Sequence, residues 1–249
     1  MDEDVAALRT AIQEFVSSHR QRPFGILREI GVQAELKRLA DHHLGGRTHV
    51  LATVIDEPGG ARAIEVETDR VRLEAKIYLP QEFAEDAELT RDRTDLLLYR
   101  AAGVSLFRHR SGPGDIVYKT LPESVSAAVE IKASPSIQLN QRIRYASDIL
   151  RLLKLRNCGI AGFFLLLDKS SSLYREPDCP LNAMAGINWA PTPEASSLGG
   201  ILNAEDPAWA DIVVSANEPP DERTKYIEIW DVSAEEGRPQ RLFAYRAVA

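Results

Sequence analysis

The segment Val129-Glu130-Ile131-Lys132-Ala133 carries the sharpest chemical signal in the chain. On a strand, side chains alternate between faces, so Glu130 and Lys132 share one face while Val129 and Ile131 take the other. A carboxylate beside an ammonium at the end of an apolar strand suits metal-assisted hydrolysis of a phosphodiester. In that chemistry the carboxylate binds Mg²⁺ and the Ile131 carbonyl adds an oxygen ligand. The Lys132 ammonium holds the attacking water and offsets charge on the phosphorane. The bland alternative is an ion pair on a half-exposed sheet, contributing under ~1 kcal/mol.

Spacing alone does not decide between them. With 37 acids and seven lysines in 249 residues, about one acid-x-Lys match arises by chance. Three occur: Glu35-x-Lys37, Glu74-x-Lys76 and Glu130-x-Lys132. Glu35 and Lys37 fall on a predicted helix, where residues two apart diverge. Glu74 and Lys76 fall on a strand with no crossover helix after it. Only the third match stands at a strand end directly before a polar-faced helix.

The elements that must position these residues follow from periodicity. Val5 to Arg20 reads as a helix with Val5, Leu8, Ile12, Phe15 and Val16 on its apolar side. A second helix is predicted from about Phe24 to Leu44, with Leu27, Ile30, Ala34 and Leu39 buried and Gly45-Gly46 as its stop. Period-two runs follow at His49–Ile55, Arg70–Tyr78 and Arg93–Tyr99. A hairpin is predicted from Val104–Arg110 and Asp115–Thr120 around Ser111-Gly112-Pro113-Gly114, then a strand at Val125–Ala133. Leu139 to Leu155 is a helix with Leu139, Ile143, Ala146, Leu150 and Leu153 on one stripe. Gln141, Arg144, Tyr145, Asp148 and Arg151 project from its other side. Ile160–Asp168 is a strand covered on both faces, which makes 125–168 a βαβ crossover and predicts a parallel component in the sheet. Beyond it lie loops, with strands at Asp211–Ala216, Lys225–Val232 and Arg241–Ala247, the last two as a terminal hairpin. The reading is one α/β domain over 1–249 with a loop-rich C-terminal third.

In this order the residues resemble the PD-(D/E)XK nuclease superfamily. The resemblance rests on Asp95 at the head of Arg93–Tyr99, on Glu130-Ile131-Lys132, and on the helix with Gln141-Arg142-Ile143-Arg144-Tyr145. The Q-x-x-x-Y spacing is similar to its RecB-like branch, and Glu35 matches the acid many members carry on the first core helix. Thr94 stands where a proline usually precedes the first acid. The resemblance covers about residues 24–168. It implies a restriction-endonuclease-like core, a central mixed β-sheet flanked by helices, with a C-terminal β extension over about 169–249. It also implies a metal held by Asp95, Glu130, Ile131 and Glu35, with Lys132 orienting the nucleophile and Gln141 and Tyr145 contacting the phosphate or the strand. Asp115, closer to Glu130 in sequence, is the rival first acid, although a hairpin turn favours Asp there on its own account. The implied activity is that of a Mg²⁺-dependent DNA nuclease, with Mn²⁺ able to substitute, in restriction, defence or repair. The competing expectation is a nuclease-fold module that binds nucleic acid or a protein partner without turnover.

Charge bears on the substrate. The chain carries a formal −7, which excludes a uniformly basic nucleic-acid surface. The predicted helix nevertheless gathers Arg142, Arg144, Arg151, Lys154 and Arg156 against Asp148, a local basic face suited to a polyanion. Arg144 and Arg151 are its substrate-binding candidates. Nucleotide-driven and serine-hydrolase chemistry find no support: there is no P-loop, no G-x-G-x-x-G after a strand and no G-x-S-x-G. His42, His43 and His49 lack supporting ligands at zinc spacing and read as surface residues. Of the two cysteines, Cys158 reads as a buried hydrophobe and Cys179 as a loop thiol. No apolar run approaches the ~18 residues of a membrane span, and the acidic N-terminus lacks a signal-type apolar segment. A soluble cytoplasmic protein with no membrane partner is expected. Trp189, Trp209 and Trp230 offer a surface for a protein partner, and a homodimer is equally open.

Overall fold

The computed structural model describes residues 2–21, 28–56, 64–78, 93–133, 148, 151–152, 155–156, 158–168, 224–231 and 240–248. The fold is α/β, with a mixed sheet flanked by helices α1 (Glu3–Gln21) and α2 (Glu29–His43). The chain divides into two compact units: Met1–Ser17, Gln33–Val129 and Asn157–Ile160 form one, and Ser18–Val32, Glu130–Arg156 and Ala161–Ala249 form the other.

In the first unit the helices begin and end as their sequences dictate. The Asp2 side chain accepts a hydrogen bond from the Asp4 N–H (3.0 Å), satisfying a donor the first turn would leave open. Val5, Leu8, Ile12 and Phe15 of α1 are all buried, each removal from water contributing roughly 1.5–3 kcal/mol. Helix α2 stops where Gly45 and Gly46 adopt positive φ, a conformation that costs glycine least. Its buried stripe is Val32, Leu36, Leu39 and Ala40, which bears out Leu39 and shifts the stripe away from Ile30 and Ala34. Ile30 is 71% exposed and Ala34 is exposed, while Leu27 lies outside the described residues.

The strands of this unit are β1 (His49–Asp56), β2 (Ile64–Asp69), β3 (Val71–Ile77), β4 (Thr94–Tyr99), β5 (Val104–Gly112), β6 (Asp115–Thr120) and the first part of β7 (Val125–Ala133). Their spatial order is β7-β4-β3-β6-β5-β1-β2. Pairs β1–β5 and β3–β6 are parallel; β1–β2, β3–β4, β4–β7 and β5–β6 are antiparallel. The β5–β6 hairpin is where the sequence puts it. Strand β2, by contrast, has no counterpart among the sequence-based elements. Every residue of β4 is buried, as its Leu96-Leu97-Leu98 run requires of a strand covered on both faces. In the turn before β5, Gly103 has φ +112, and a Cβ there would stand 2.9 Å from the Leu51 carbonyl oxygen. Only glycine fits that approach.

A buried ion pair ties α1 to the sheet. Arg70, between β2 and β3, is 1% exposed and pairs with Asp4, and its guanidinium donates to the Tyr99 carbonyl oxygen at 2.9 and 3.2 Å. The charge therefore has both a counter-ion and an acceptor, as a buried guanidinium needs.

In the second unit β8 (Ala161–Asp168), β9 (Thr224–Asp231) and β10 (Gln240–Val248) form an antiparallel series, and the predicted terminal hairpin is β9–β10. Asp148, Arg151, Leu152, Leu155 and Arg156 are helical, with Leu152 and Leu155 buried. The remainder of the predicted 139–155 helix, the 211–216 strand, Trp189, Trp209 and Cys179 lie outside the described residues. Among the described residues no helix is long and apolar enough to cross a membrane.

Candidate functional site

Two clusters of polar and charged side chains form, one in each unit: around Asp95, and around Glu130 and Lys132. In the first unit Asp95 is the second residue of β4 and is 6% exposed. The β3–β4 ladder runs Leu73↔Leu96 and Ala75↔Thr94, which sets Glu74 opposite Asp95. Facing carboxylates repel, and one neutral amide bridges them: Gln33 Nε2 donates to Glu74 Oε1 at 2.9 Å and to Asp95 Oδ1 at 3.0 Å. Glu74 itself holds φ +51, a backbone conformation uncommon outside glycine.

Glu35 does not take the place the sequence gave it beside Asp95. Two residues beyond Gln33 and about 200° around the helix, its carboxylate receives both Arg38 Nη2 (2.8 Å) and Arg38 Nε (2.9 Å). That hydrogen-bonded guanidinium holds the Glu35 carboxyl below its ordinary pKa. Gln33 instead lies on the buried stripe, and a polar residue on an apolar stripe was the signal that could have found it. Glu74 carried a signal as well, as the second of the three acid-x-Lys matches. The rival first acid, Asp115, opens β6 opposite Gly112 in the hairpin.

In the second unit Glu130 and Lys132 stand in the last part of β7, with Ile131 fully buried between them. Glu130 is 1% exposed and is paired with Arg151. Arg151 Nη2 also reaches Asp148 Oδ1 at 3.2 Å, and Lys132 Nζ lies 2.8 Å from Asp148 Oδ2. The four residues form a linear chain, Glu130–Arg151–Asp148–Lys132, of two acids and two bases. Asp148 and Arg151 are both buried, so this part of the helix's polar side serves the strand end. Sequence reading counted Asp148 only as a dilution of the basic face. Its i, i+3 spacing to Arg151 on that side was the available clue. Gln141, Arg144 and Tyr145 lie outside the described residues.

Elsewhere, His43 Nε2 lies 2.6 Å from Glu14 Oε2 and His49 Nδ1 lies 3.3 Å from Asp69 Oδ1. Cys158 is half-buried in a turn before β8, and burial pushes its thiol pKa up. Among the described residues no group of three or more His, Cys, Asp or Glu side chains is arranged to hold a metal ion. Chemically, the β7 cluster can keep a buried carboxylate ionised with an amine fixed two residues away. No family model matches this chain, and neither a curated protein nor a solved structure matches it.

Proposed function

We propose that this chain is a metal-dependent nuclease that hydrolyses DNA phosphodiester bonds on a restriction-endonuclease-like core. The observation that carries the reading is the end of β7, where a buried Glu130 and Lys132 are tied through Arg151 and Asp148. Mg²⁺ is commonly held by only one or two carboxylates, with waters and substrate phosphates completing its shell. Asp95 and Glu130 are each a hard oxygen donor of the kind such an ion takes, with Mn²⁺ as an alternative ion. When bound, the ion would polarise a phosphoryl oxygen and acidify a water.

The residues divide the remaining work. Arg151 supplies the counter-charge that keeps Glu130 ionised in a dry site. Asp148 anchors the Lys132 ammonium, which in this reading orients the attacking water and stabilises charge developing on the phosphate. Gln141, Tyr145 and Arg144 are assigned to the strand being cut. Arg151 contributes through Glu130 rather than by touching phosphate. Glu35, paired with Arg38, is a weaker candidate for the ion than the notional first-helix acid it resembles.

A second reading has its own observation. Lys132 and Arg151 are both engaged by carboxylates and the cluster is neutral overall, which also suits a nuclease-fold module that binds nucleic acid or a protein partner without turnover. Cleavage separates the two. Linear, circular and single-stranded DNA are incubated with the full chain across a Mg²⁺ and Mn²⁺ titration, with EDTA as control. The nuclease reading predicts metal-dependent degradation, reduced about 10²-fold or more in Lys132→Ala and Asp95→Asn. Binding without degradation by the folded protein supports the second reading.

A further inference from the structure

A cavity of about 680 Å³ lies against the first unit's sheet, within the ~300–1,000 Å³ of small-molecule sites. Arg72, Glu74 and Lys76 of β3 and Ile116, Tyr118 and Thr120 of β6 line it. Arg93, ahead of β4, and Arg108 of β5 add two further cations. The acids Glu67 and Glu74 line it as well.

The apolar part of the lining is equally unusual for a bare surface. Ile64, Val66, Ile116 and Tyr118 line the cavity and are 41–49% exposed, although large apolar side chains on a sheet are ordinarily covered. Tyr118 presents a ring there. The buried residues Tyr99 and Thr120 also line it, with Tyr99 Oη and Thr120 Oγ1 bonded at 3.0 Å. Burial pushes the Tyr99 phenol pKa up, so the group keeps its proton.

We propose that this cavity binds a nucleoside phosphate, taken either as a free nucleotide or as the unpaired end of a nucleic-acid strand. Arginine and lysine suit phosphate oxygens, and an exposed tyrosine flanked by aliphatic side chains suits a stacked base. Glu67 can accept hydrogen bonds from sugar hydroxyls or an exocyclic amino group. A fatty chain would call for a single charge at the mouth of an apolar tunnel, whereas the charges here come from β3, β5 and the segment before β4. The inference goes beyond the nuclease reading, because occupancy of the cavity requires neither a metal nor cleavage.

The test is calorimetric titration of the full chain in EDTA, so that no cutting can contribute. The probes are AMP, ATP and a 5′-phosphorylated oligo(dT). Binding of AMP and ATP alone identifies a free nucleotide as the ligand. Binding of the oligonucleotide, with or without the mononucleotides, identifies a strand end. Either result supports the proposal if Tyr118→Ala and Arg93→Gln each weaken it by about tenfold or more. Arg38→Gln, on α2 and outside the cavity lining, removes one exposed positive charge and changes affinity by less than about twofold. Tyr118 and Arg93 are exposed, so neither substitution threatens folding, and thermal melts of the variants confirm this. Failure of all three probes to bind overturns the proposal, as does binding that Tyr118→Ala and Arg93→Gln leave unchanged or that Arg38→Gln weakens equally. Loss of DNA cleavage with nucleotide binding intact counts against the nuclease reading alone.

Discussion

Asp95 and Glu130 are both buried carboxylates on apolar strands, yet the fold accommodates them in different ways. Asp95 faces Glu74 across the β3–β4 ladder and shares the neutral amide of Gln33 with it. Glu130 is paired with a guanidinium and belongs to a four-residue chain of two acids and two bases. A neutral donor adds no counter-charge to the two carboxylates it bridges, whereas a cationic donor does. The amide holds Glu74 and Asp95 at a fixed spacing; the guanidinium gives Glu130 a counter-charge and, through Asp148, a link to the Lys132 ammonium.

Stability measurements can break that comparison. Arg151→Leu removes the buried counter-charge beside Glu130, and we expect a loss of about 3–5 kcal/mol in urea denaturation. The double variant Glu130→Leu/Arg151→Leu should recover most of it, because removing both members of a buried pair leaves no orphaned charge. If the double variant is as unstable as the single one, the pair is not what balances Glu130. Gln33→Leu has a smaller expected cost, about 1–3 kcal/mol, from the loss of one bridging donor. Added Mg²⁺ should raise the melting temperature of Gln33→Leu at least as much as that of the parent, since the facing carboxylates remain. An unchanged melting temperature in both proteins removes Asp95 from the proposed ion ligands.

The smallest effect concerns Glu35. Its pKa is lowered in the folded state by the Arg38 hydrogen bond, so its contribution to stability is present above the unfolded carboxylate pKa, about 4.3. That contribution is lost as pH falls through the lowered folded value. Stability curves of the parent and of Arg38→Gln should differ slightly at neutral pH and converge in acid. A difference that persists or grows in acid shows that Arg38 acts through some other contact.

These outcomes bear on what the sequence could reveal. Helix α1 was legible because its apolar residues admit a single stripe, and β4 because Leu96-Leu97-Leu98 has no polar side to offer solvent. The phase of α2 was not: Ile30, Val32, Ala34 and Leu36 alternate, so local pattern permits two stripes. Packing selects the one with Val32 and Leu36, which turns Gln33 toward β3 and β4 and leaves Glu35 to Arg38. Glu130 and Lys132 were legible from strand period and position. Asp148 and Arg151 were expected to project away from an apolar stripe whose residues lie outside the described ones. Their burial was not legible, because periodicity orients a side chain without saying what covers it. The Glu74–Asp95 pairing depends on strand register across residues far apart in sequence, which no local pattern encodes.

The most direct test of the central claim is calorimetric titration of Mn²⁺ into the parent protein and Glu130→Gln at constant pH, with folding of the variant verified by its thermal melt. The account predicts saturable binding by the parent and a loss of about tenfold or more in affinity when the carboxylate becomes an amide. Equal affinity for Mn²⁺ in the two proteins, or no binding by the folded parent, would contradict it.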